Sequence, residues 1–513
     1  MYAKTISAAV MGITAYPIEI ETHAELSLPG FQIVGLPDSS VRESKERVQA
    51  ALKNSGFDIA ARKYIVNLAP ADVRKEGSMF DLPIAIGVLA AMGHKGFTNL
   101  DKTAFIGELA FDGSLRPSHG VLPIAVMLKK LGFKRLLLPR NNVNEAAIIG
   151  GIEVIPIVNL VEAVAYVSGT ISIAPHFVNV EQIFTDANLD HTLDLADVKG
   201  QNMVKRAFEV AAAGGHNLIM VGPPGAGKTM LAKRLPSILP PLTLPEALET
   251  TTIHSVAGIL PAGKALVTRR PFRSPHHTIS DAALVGGGVG TVRAGEVTLA
   301  HHGVLFLDEL PEFQRNVLEV LRQPIEDKRV QISRTKSTVE FPSNVMLVCS
   351  MNPCPCGHFG SSVRECMCSP TDVARYMSRV SGPLLDRIDL HVQVPAVNVQ
   401  DLSQMETGES SESVRSRVIC AREKQLQRFA GKAGIFKNAD MSAGDVEQLA
   451  QAEAGAMEHL RLSMERLQLS ARAYHRILKV ARTIADLSDS ATVKKEHMAE
   501  AVHYRDLDRP YWS

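Results

Sequence analysis

An eight-residue segment near the middle of the chain has the composition and spacing of a phosphate-binding loop. Its residues are Gly222, Pro223, Pro224, Gly225, Ala226, Gly227, Lys228 and Thr229. The apolar run 217–221 before it predicts a buried strand, and residues 230–235 after it predict a helix. This context makes a chance match in a Gly- and Pro-rich loop the weaker alternative. Glycines let backbone N–H groups close around a polyphosphate. We expect Lys228 to reach the outer phosphates and Thr229 to bind Mg²⁺, so the segment predicts an ATP site.

Two further apolar runs end in polar residues that such a site needs. Residues 303–307 are followed by Asp308 and Glu309. We expect Asp308 to bind Mg²⁺ through its water shell and Glu309 to orient the attacking water as the base, with an acidic helix cap as the alternative. The run 345–350 leads to Asn352, which is placed to hold the γ-phosphate or the water, although Asn before Pro is also common in turns.

Two arginines farther along the chain are candidates for contacting the phosphates. Arg387 follows an apolar helix and, facing a neighbouring subunit, would stabilise transition-state charge in trans. A surface salt bridge with Asp386 or Asp389 is the alternative. Arg472 begins a helix predicted over 470–487 and would sense the γ-phosphate, although solvated helix arginines are commoner.

A basic hairpin is predicted between the two apolar runs 303–307 and 345–350, which lead into polar residues. Residues 328–341 alternate apolar and polar side chains around a basic tip. The basic residues are Lys328, Arg329, Arg334 and Lys336. They would contact the phosphates of a nucleic acid, mainly through counterion release, and Arg334 and Lys336 at the tip are our first choice. A solvated hairpin with ordinary surface charges is the alternative.

Four of the six cysteines form two C-x-C pairs in one short window: Cys354, Cys356, Cys366 and Cys368. Four thiolates can close a tetrahedral Zn²⁺ site, although this spacing is tighter than that of the usual zinc knuckle. Small buried thiols and redox-active thiols are the alternatives. We favour structural zinc, and the clustering indicates a reduced compartment.

The bulk composition is that of a globular protein with room for three domains. The chain has 513 residues, 45% hydrophobic and 21% charged, with a formal net charge of +1. This balance excludes a uniformly basic nucleic-acid coat but leaves a local basic patch open. No apolar run approaches the roughly 20 residues of a membrane span, and the N-terminus lacks the pattern of an export signal. We therefore expect a cytoplasmic protein with no membrane partner.

The pattern of apolar residues predicts an α/β chain of three domains. Strand-like and helical runs alternate in residues 1–170, and a less patterned linker follows over 171–192. A nucleotide-binding α/β domain covers 193–396, and helical spacing dominates 397–513. An insertion from about residue 251 to 297, rich in Gly, His and Arg, is expected to form a mobile loop that faces the pore or a partner.

The order of the motifs GPPGAGKT, LFLDE, SMN, LLDRIDL and SARAYHR resembles the AAA+ ATPases. It is most similar to the branch with a helix-2 insertion and a hairpin before sensor 1, which includes MCM helicases and magnesium chelatase. The segments 270–280 and 283–288 are very like the ATPase subunit of magnesium chelatase. The resemblance implies Walker A at Lys228 and Thr229, Walker B at Asp308 and Glu309, sensor 1 at Asn352, the arginine finger at Arg387 and sensor 2 at Arg472.

The whole chain resembles the ComM/YifB "Mg-chelatase-like" family. That resemblance implies an ATP-hydrolysing homo-hexamer, a DNA helicase or translocase that acts on branched, forked or single-stranded DNA. It further implies branch migration during homologous recombination or natural transformation. A chelatase-like AAA+ chaperone ATPase that remodels a protein partner is the alternative, and the magnesium-chelatase similarity taken alone would favour it.

The N-terminal region is similar, through residues 66–82, to the Lon protease catalytic fold of the ribosomal S5 domain 2 type. An active Lon domain uses a serine that a lysine activates. In an alignment on Lys75 and Gly77 the serine position falls on Met79, beside Ser78, and the lysine position falls near Leu122. We therefore expect an α+β domain that lacks the catalytic dyad, which disfavours an ATP-dependent protease. A scaffolding or DNA-contacting role, as in the Lon-like domain of RadA, fits better.

Overall fold

The computed structural model describes residues 1–71, 75–94, 96–97, 100–187, 193–288, 292–334, 337–360, 364–396, 408–432 and 434–505. Lys336 lies outside these residues, and only the backbone of Arg334 is described. The chain forms two compact units, Met1–Ala187 with Leu244–Thr268 and Asn188–Thr243 with Arg269–Ser513. Strands and helices are mixed in the chain, and helices follow at its C-terminal end, so the predicted fold class is confirmed.

The first unit is built on a seven-stranded mixed sheet. Its strands are β1 Tyr2–Met11, β2 Thr14–Glu25, β3 Gly30–Val34, β4 Lys63–Ala69, β5 Thr103–Phe105, β8 Arg135–Pro139 and β9 Glu153–Ile157, with a separate ribbon of β6 Glu108–Leu109 and β7 Leu115–Arg116. Its helices include α1 Ser39–Asn54, α2 Asp81–Ala91, α3 Val121–Lys130, α4 Val143–Ala147, α5 Leu160–Val167 and α6 Val180–Ala187. The strand order is β3-β4-β2-β1-β5-β8-β9. Buried residues alternate along β4, and α2, which is apolar and buried almost throughout, packs on β1 and β2.

From residue 193 the chain alternates strands and helices and then continues as helices. The strands are β10 Leu218–Val221, β11 Phe272–Arg273, β12 Gly286–Gly287, β13 Arg293–Ala294, β14 Val304–Leu307, β15 Arg329–Arg334, β16 Ser337–Pro342, β17 Met346–Met351 and β18 Leu390–Gln393. The helices are α7 Asn202–Gly214, α8 Lys228–Arg234, α9 Leu244–Val256, α10 Asp281–Val285, α11 Glu296–Leu299, α12 Arg315–Val320, α13 Arg322–Asp327, α14 Pro370–Met377, α15 Gly382–Leu385, α16 Ser411–Arg428, α17 Ala443–Leu449, α18 Ala454–Leu467, α19 Ala471–Leu487 and α20 Lys495–His503.

A five-stranded parallel sheet in the second unit positions the candidate site. Its strand order is β11-β14-β17-β10-β18. Every residue of β10, β14 and β17 is buried, which explains why these segments are continuously apolar. Val221 lies beside Met351 and Leu307 lies beside Cys349 in the parallel register. The segments that follow these strands therefore emerge at the same edge of the sheet.

The C-terminal helices share the core of this unit. Helices α16 and α19 both pack on α7. Val418 of α16 and Ile477 and Ile484 of α19 belong to the same buried cluster as Leu218 and Met220 of β10. The helices α16 to α20, residues 411–503, are called the helical lid. They are therefore packed against the elements that carry the loop 222–229. No helix in the described part of the chain is long and apolar enough to cross a membrane.

The insertion predicted over 251–297 is divided between the two units, so it does not form a single loop. Residues Leu244–Thr268, which include α9, group with the N-terminal residues. Ser255 of α9 donates to the buried carboxylate of Glu145, and Asn144 donates to the carbonyl of Gly263 at 2.7 Å. The rest of the insertion forms α10, α11 and the small β12–β13 ribbon. Part of the predicted linker 171–192 is also regular structure, because α6 lies within it.

Candidate nucleotide-binding site

The loop 222–229 connects β10 to α8 and has an open, glycine-lined backbone. Gly225 and Gly227 have φ angles of +75° and +85°, in the left-handed region that glycine adopts without strain. A Cβ added to Gly225 would meet no atom within 4 Å, so the backbone there faces free space. A polyphosphate needs such a cradle of accessible backbone N–H groups, and the loop therefore fits ATP.

The ammonium of Lys228 connects the loop to the neighbouring strand. Its Nζ donates to the carbonyl oxygens of Gly222 at 2.7 Å and Pro223 at 2.9 Å, and to Oδ1 of Asn352 at 3.0 Å. Burial lowers the pKa of Lys228, and the negative charge of Asp308 opposes that shift. The structure thus brings together the residues predicted as Walker A and sensor 1 around one positive charge.

Asp308 accepts hydrogen bonds from two sides. The Thr229 hydroxyl donates to its Oδ2 at 2.6 Å, and the Ser350 hydroxyl donates to its Oδ1. The hydroxyl oxygen of Thr229 in the loop and the carboxylate of Asp308 after β14 thus lie side by side. Mg²⁺ prefers oxygen ligands of this kind. The donor set fits Mg²⁺, with Thr229 and Asp308 as the residues that would hold it. Sequence reasoning missed Ser350, whose only signal was one hydroxyl in an otherwise apolar strand.

Glu309 is held in an unusual backbone conformation beside Asp308. Its φ angle is +54°, which is uncommon for a residue with a side chain and typical of functional sites. The side chain is 59% exposed, and its Oε2 lies 3.7 Å from Nδ1 of His277. An exposed carboxylate at the edge of the loop can orient a water for attack on a phosphate. The contact with His277 was not predicted.

Arg387 is nearly buried, and its salt-bridge partner is neither Asp386 nor Asp389. It lies just after α15, forms an ion pair with Glu326 of α13 at 2.7 Å, and donates to the carbonyl of Pro383 at 2.6 Å. The alternative of a surface salt bridge with Asp386 or Asp389 is therefore wrong, and the arginine-finger role stays a prediction. A role in trans requires this side chain to leave Glu326.

Asp389 instead joins β18 to the helical lid. Its buried carboxylate accepts from Arg476 of α19 at 2.6 Å and from the backbone N–H of Asn217 at 3.0 Å. Arg476 also donates to the carbonyl of Arg387 at 3.0 Å. Arg472 lies one turn earlier on the same helix and is exposed, and its role as sensor 2 remains a prediction.

The predicted hairpin is present as the antiparallel pair β15–β16, and its base is tied to the lid. Lys328, just before β15, forms an ion pair with the almost fully buried side chain of Asp440. Lys437 donates to Asn344, just after β16, at 3.2 Å. Arg329 lies 3.5 Å from Glu340 across the hairpin, and both side chains are more than half exposed. Lys328 is therefore engaged within the chain.

Ser78 and Lys75, which lie near the predicted Lon-type serine position Met79, have other partners. The Ser78 hydroxyl donates to Glu108, and the ammonium of Lys75, which is fully buried, donates to the carbonyl of Pro70. Leu122 is a buried residue of α3. No lysine amine contacts Ser78 among the hydrogen bonds of the described residues.

Three family models match successive parts of the chain. They are "Subunit ChlI of Mg-chelatase" over residues 20–142, "Magnesium chelatase, subunit ChlI" over 194–402 and "Magnesium chelatase, subunit ChlI C-terminal" over 408–505. With the parallel sheet and its glycine-rich loop, these matches define an AAA+ ATPase of the magnesium-chelatase type, a class that uses ATP and Mg²⁺.

Full-length relatives narrow the assignment. The chain is 42% identical to Competence protein ComM of Haemophilus influenzae over 508 residues, which cover 99% of this chain and 98% of that protein. It is 42% identical to YifB of Escherichia coli over 505 residues (98% and 96%) and 41% identical to YifB of Salmonella typhimurium over 502 residues (98% and 96%). The chain therefore belongs to the ComM/YifB family.

Proposed function

We propose that this protein is an ATP-driven DNA helicase or translocase that assembles as a homo-hexameric ring and promotes branch migration. The observation that carries the proposal is the basic hairpin β15–β16 between the two strands that end at the nucleotide site. β14 precedes it and leads into Asp308, and β17 follows it and leads into Asn352. The hairpin therefore lies in the chain between the two residues that bond Thr229 and Lys228.

The basic side chains of the hairpin suit a polyanionic partner and do not require a particular sequence in it. Arg329 has an exposed side chain, and Arg334 and Lys336 lie at the turn in sequence. Lysine and arginine contacts to phosphates release counterions and carry no sequence preference, as a motor that moves along DNA requires. The name of the Haemophilus influenzae relative, Competence protein ComM, supports a competence-related setting for this proposal.

The nucleotide site would power this movement through its own residues. Lys228 holds positive charge where the outer phosphates of ATP would lie, and Glu309 would take the proton from the attacking water. Arg387, once released from Glu326, would add charge from a neighbouring subunit. Hydrolysis would then depend on assembly, as expected for a ring.

The test combines ATP turnover with DNA affinity. Forked DNA or a four-way junction should stimulate turnover, and the wild-type protein should move the branch point only with ATP. Arg334→Ala combined with Lys336→Ala should weaken binding and reduce the slope of log affinity against log salt by about two. Arg461→Ala with Arg466→Ala removes the same charge from the exposed face of α18 and is the matched control. An unchanged slope in the hairpin variant would place the DNA contact elsewhere.

A chelatase-like chaperone ATPase is the second candidate, because the three matching family models describe a magnesium-chelatase subunit. Such a protein would remodel a protein partner and ignore nucleic acid. ATP turnover that junction DNA leaves unchanged at low salt would favour this candidate over the motor.

A further inference from the structure

The two C-x-C pairs converge on one point next to the nucleotide site. Cys354 is buried and lies two residues after Asn352, and Cys366 and Cys368 lie just before α14. The Sγ atom of Cys354 lies 3.4 Å from that of Cys356 and 3.7 Å from that of Cys366. Cys356 and Cys366 are 3.6 Å apart, and all four sulfur atoms lie within 4.8 Å of one another.

These sulfur–sulfur distances distinguish a single metal ion from a disulfide and from an iron–sulfur cluster. A tetrahedral ion with metal–sulfur bonds of about 2.3 Å places its sulfur ligands roughly 3.8 Å apart. A disulfide requires about 2.05 Å, so the sulfur atoms are too far apart to be bonded. An iron–sulfur cluster places sulfide between the irons that the thiolates hold, which needs a wider spacing than this. The geometry fits a single ion with four thiolate ligands.

A backbone amide supports one of the sulfur atoms in the way that a thiolate ligand needs. The N–H of Phe359 donates to Sγ of Cys354 at 3.3 Å. Such hydrogen bonds disperse negative charge that one divalent cation leaves uncompensated, and they orient the ligands. Four protein ligands leave no open position, so a bound ion would be structural.

The same loop packs against the phosphate-binding loop. Gly357 has a φ angle of +82°, and a Cβ at that position would lie 2.4 Å from Cδ of Pro224. On the other side, Cys354 is separated from Asn352 by only one residue. Whatever fixes the four sulfur atoms therefore also fixes the distance between the loop 222–229 and the side chain that bonds Lys228.

We propose that Cys354, Cys356, Cys366 and Cys368 bind one structural Zn²⁺, and that this ion positions Asn352 against the phosphate-binding loop. Zinc binding depends on the four thiolates alone, so it holds whether or not the motor acts on DNA. The effect on turnover requires only that the nucleotide site hydrolyses ATP.

The first experiment measures metal in the full chain, purified without added zinc. Elemental analysis should find one zinc per chain. A mercurial reagent should release this zinc as it reacts with the four cluster thiols. Cys420→Ser changes an exposed cysteine outside the cluster and should keep one zinc. Cys366→Ser with Cys368→Ser should lose it. Wild-type protein with no zinc, with iron in its place or with disulfides at these positions would overturn the proposal.

The second experiment tests the positioning role. Cys366→Ser should lower kcat for ATP by about 10- to 100-fold, as expected for misplaced catalytic groups, with a smaller change in nucleotide affinity. Cys366→His keeps a zinc-binding atom and should restore both zinc and turnover. Should the serine variant not fold, zinc stripped from wild-type protein by a chelator serves the same purpose. Full turnover in zinc-free, folded protein would refute the positioning role.

Discussion

The ion pair between Asp389 and Arg476 should hold the helical lid on the parallel sheet. Asp389→Asn keeps the size of the side chain and removes its charge. Asp389 is 6% exposed, its oxygen lies 2.6 Å from the Arg476 guanidinium, and the Arg476 side chain is 22% exposed. The substitution therefore leaves a largely buried cation without its carboxylate, which is the costly way to break a buried pair.

The size of the effect follows from what remains after the change. Loss of one partner of a buried pair costs about 3–5 kcal/mol. Arg476 keeps its bond to the carbonyl of Arg387, and the new amide can still accept from the N–H of Asn217. We therefore expect about 2–3 kcal/mol. At about 1.4 kcal/mol per tenfold change, the lid should open roughly 30- to 150-fold more often.

Hydrogen–deuterium exchange of the α19 amides measures this opening directly. Asp386→Asn, three residues earlier and partly exposed, makes the same chemical change as a control and should leave exchange unchanged. Unaltered protection of α19 in Asp389→Asn, or an equal loss in Asp386→Asn, would refute the reasoning.

The pH dependence gives a second readout with a defined sign. Burial alone would raise the pKa of Asp389, but the charge of Arg476 and the contact with His216 hold it well below its ordinary value. A lowered folded-state pKa stabilises the fold above the unfolded-state pKa, and that contribution is lost as the pH falls through the folded-state pKa. Protection of α19 should therefore persist at neutral pH and decline only in strong acid, and Asp389→Asn should remove that decline.

Three further predictions concern the nucleotide site. Lys228→Ala should lower ATP turnover by about 100-fold or more, because it removes the charge held at the phosphate position. Lys233, exposed on the same helix, is the control, and Lys233→Ala should leave turnover unchanged. Retained turnover in Lys228→Ala would contradict the assignment. Glu309→Gln should retain a fluorescent ATP analogue yet hydrolyse ATP about 100- to 10,000-fold more slowly; wild-type turnover would remove this residue from the base role. Ser350→Ala loses one hydrogen bond to the Walker B aspartate, about 1 kcal/mol, and should raise the Mg²⁺ concentration for half-maximal turnover about fivefold. The exposed Ser378→Ala is its control, and an equal Mg²⁺ requirement in both would argue against the contact.

Sequence reasoning located the centre of the site because of how parallel strands end. Lys228, Asp308 and Asn352 each follow a continuously apolar segment, and such segments are central strands whose carboxyl ends meet at one edge. The hairpin and the last long helices were also readable, since their apolar periods are regular.

Contacts between distant parts of the chain were not readable in this way. Glu326 lies on a helix whose polar face gives no sign of its partner Arg387. The hydrogen bond between Ser255 and Glu145 spans 110 residues, so the grouping of α9 with the N-terminal unit depends on packing that no local pattern records. Asp389 looked like a surface acid because its partners Arg476, Asn217 and His216 lie far from it in the sequence.

Two contacts at the base of the hairpin join it to the helical lid. Lys328 before β15 and Asn344 after β16 are both joined to the short lid segment 437–440. A six-residue strand extends about 20 Å at 3.3 Å per residue. In the proposed motor, the distance from this base to the hairpin tip would therefore be set by strand length, and lengthening both strands by two residues would increase it by about a third.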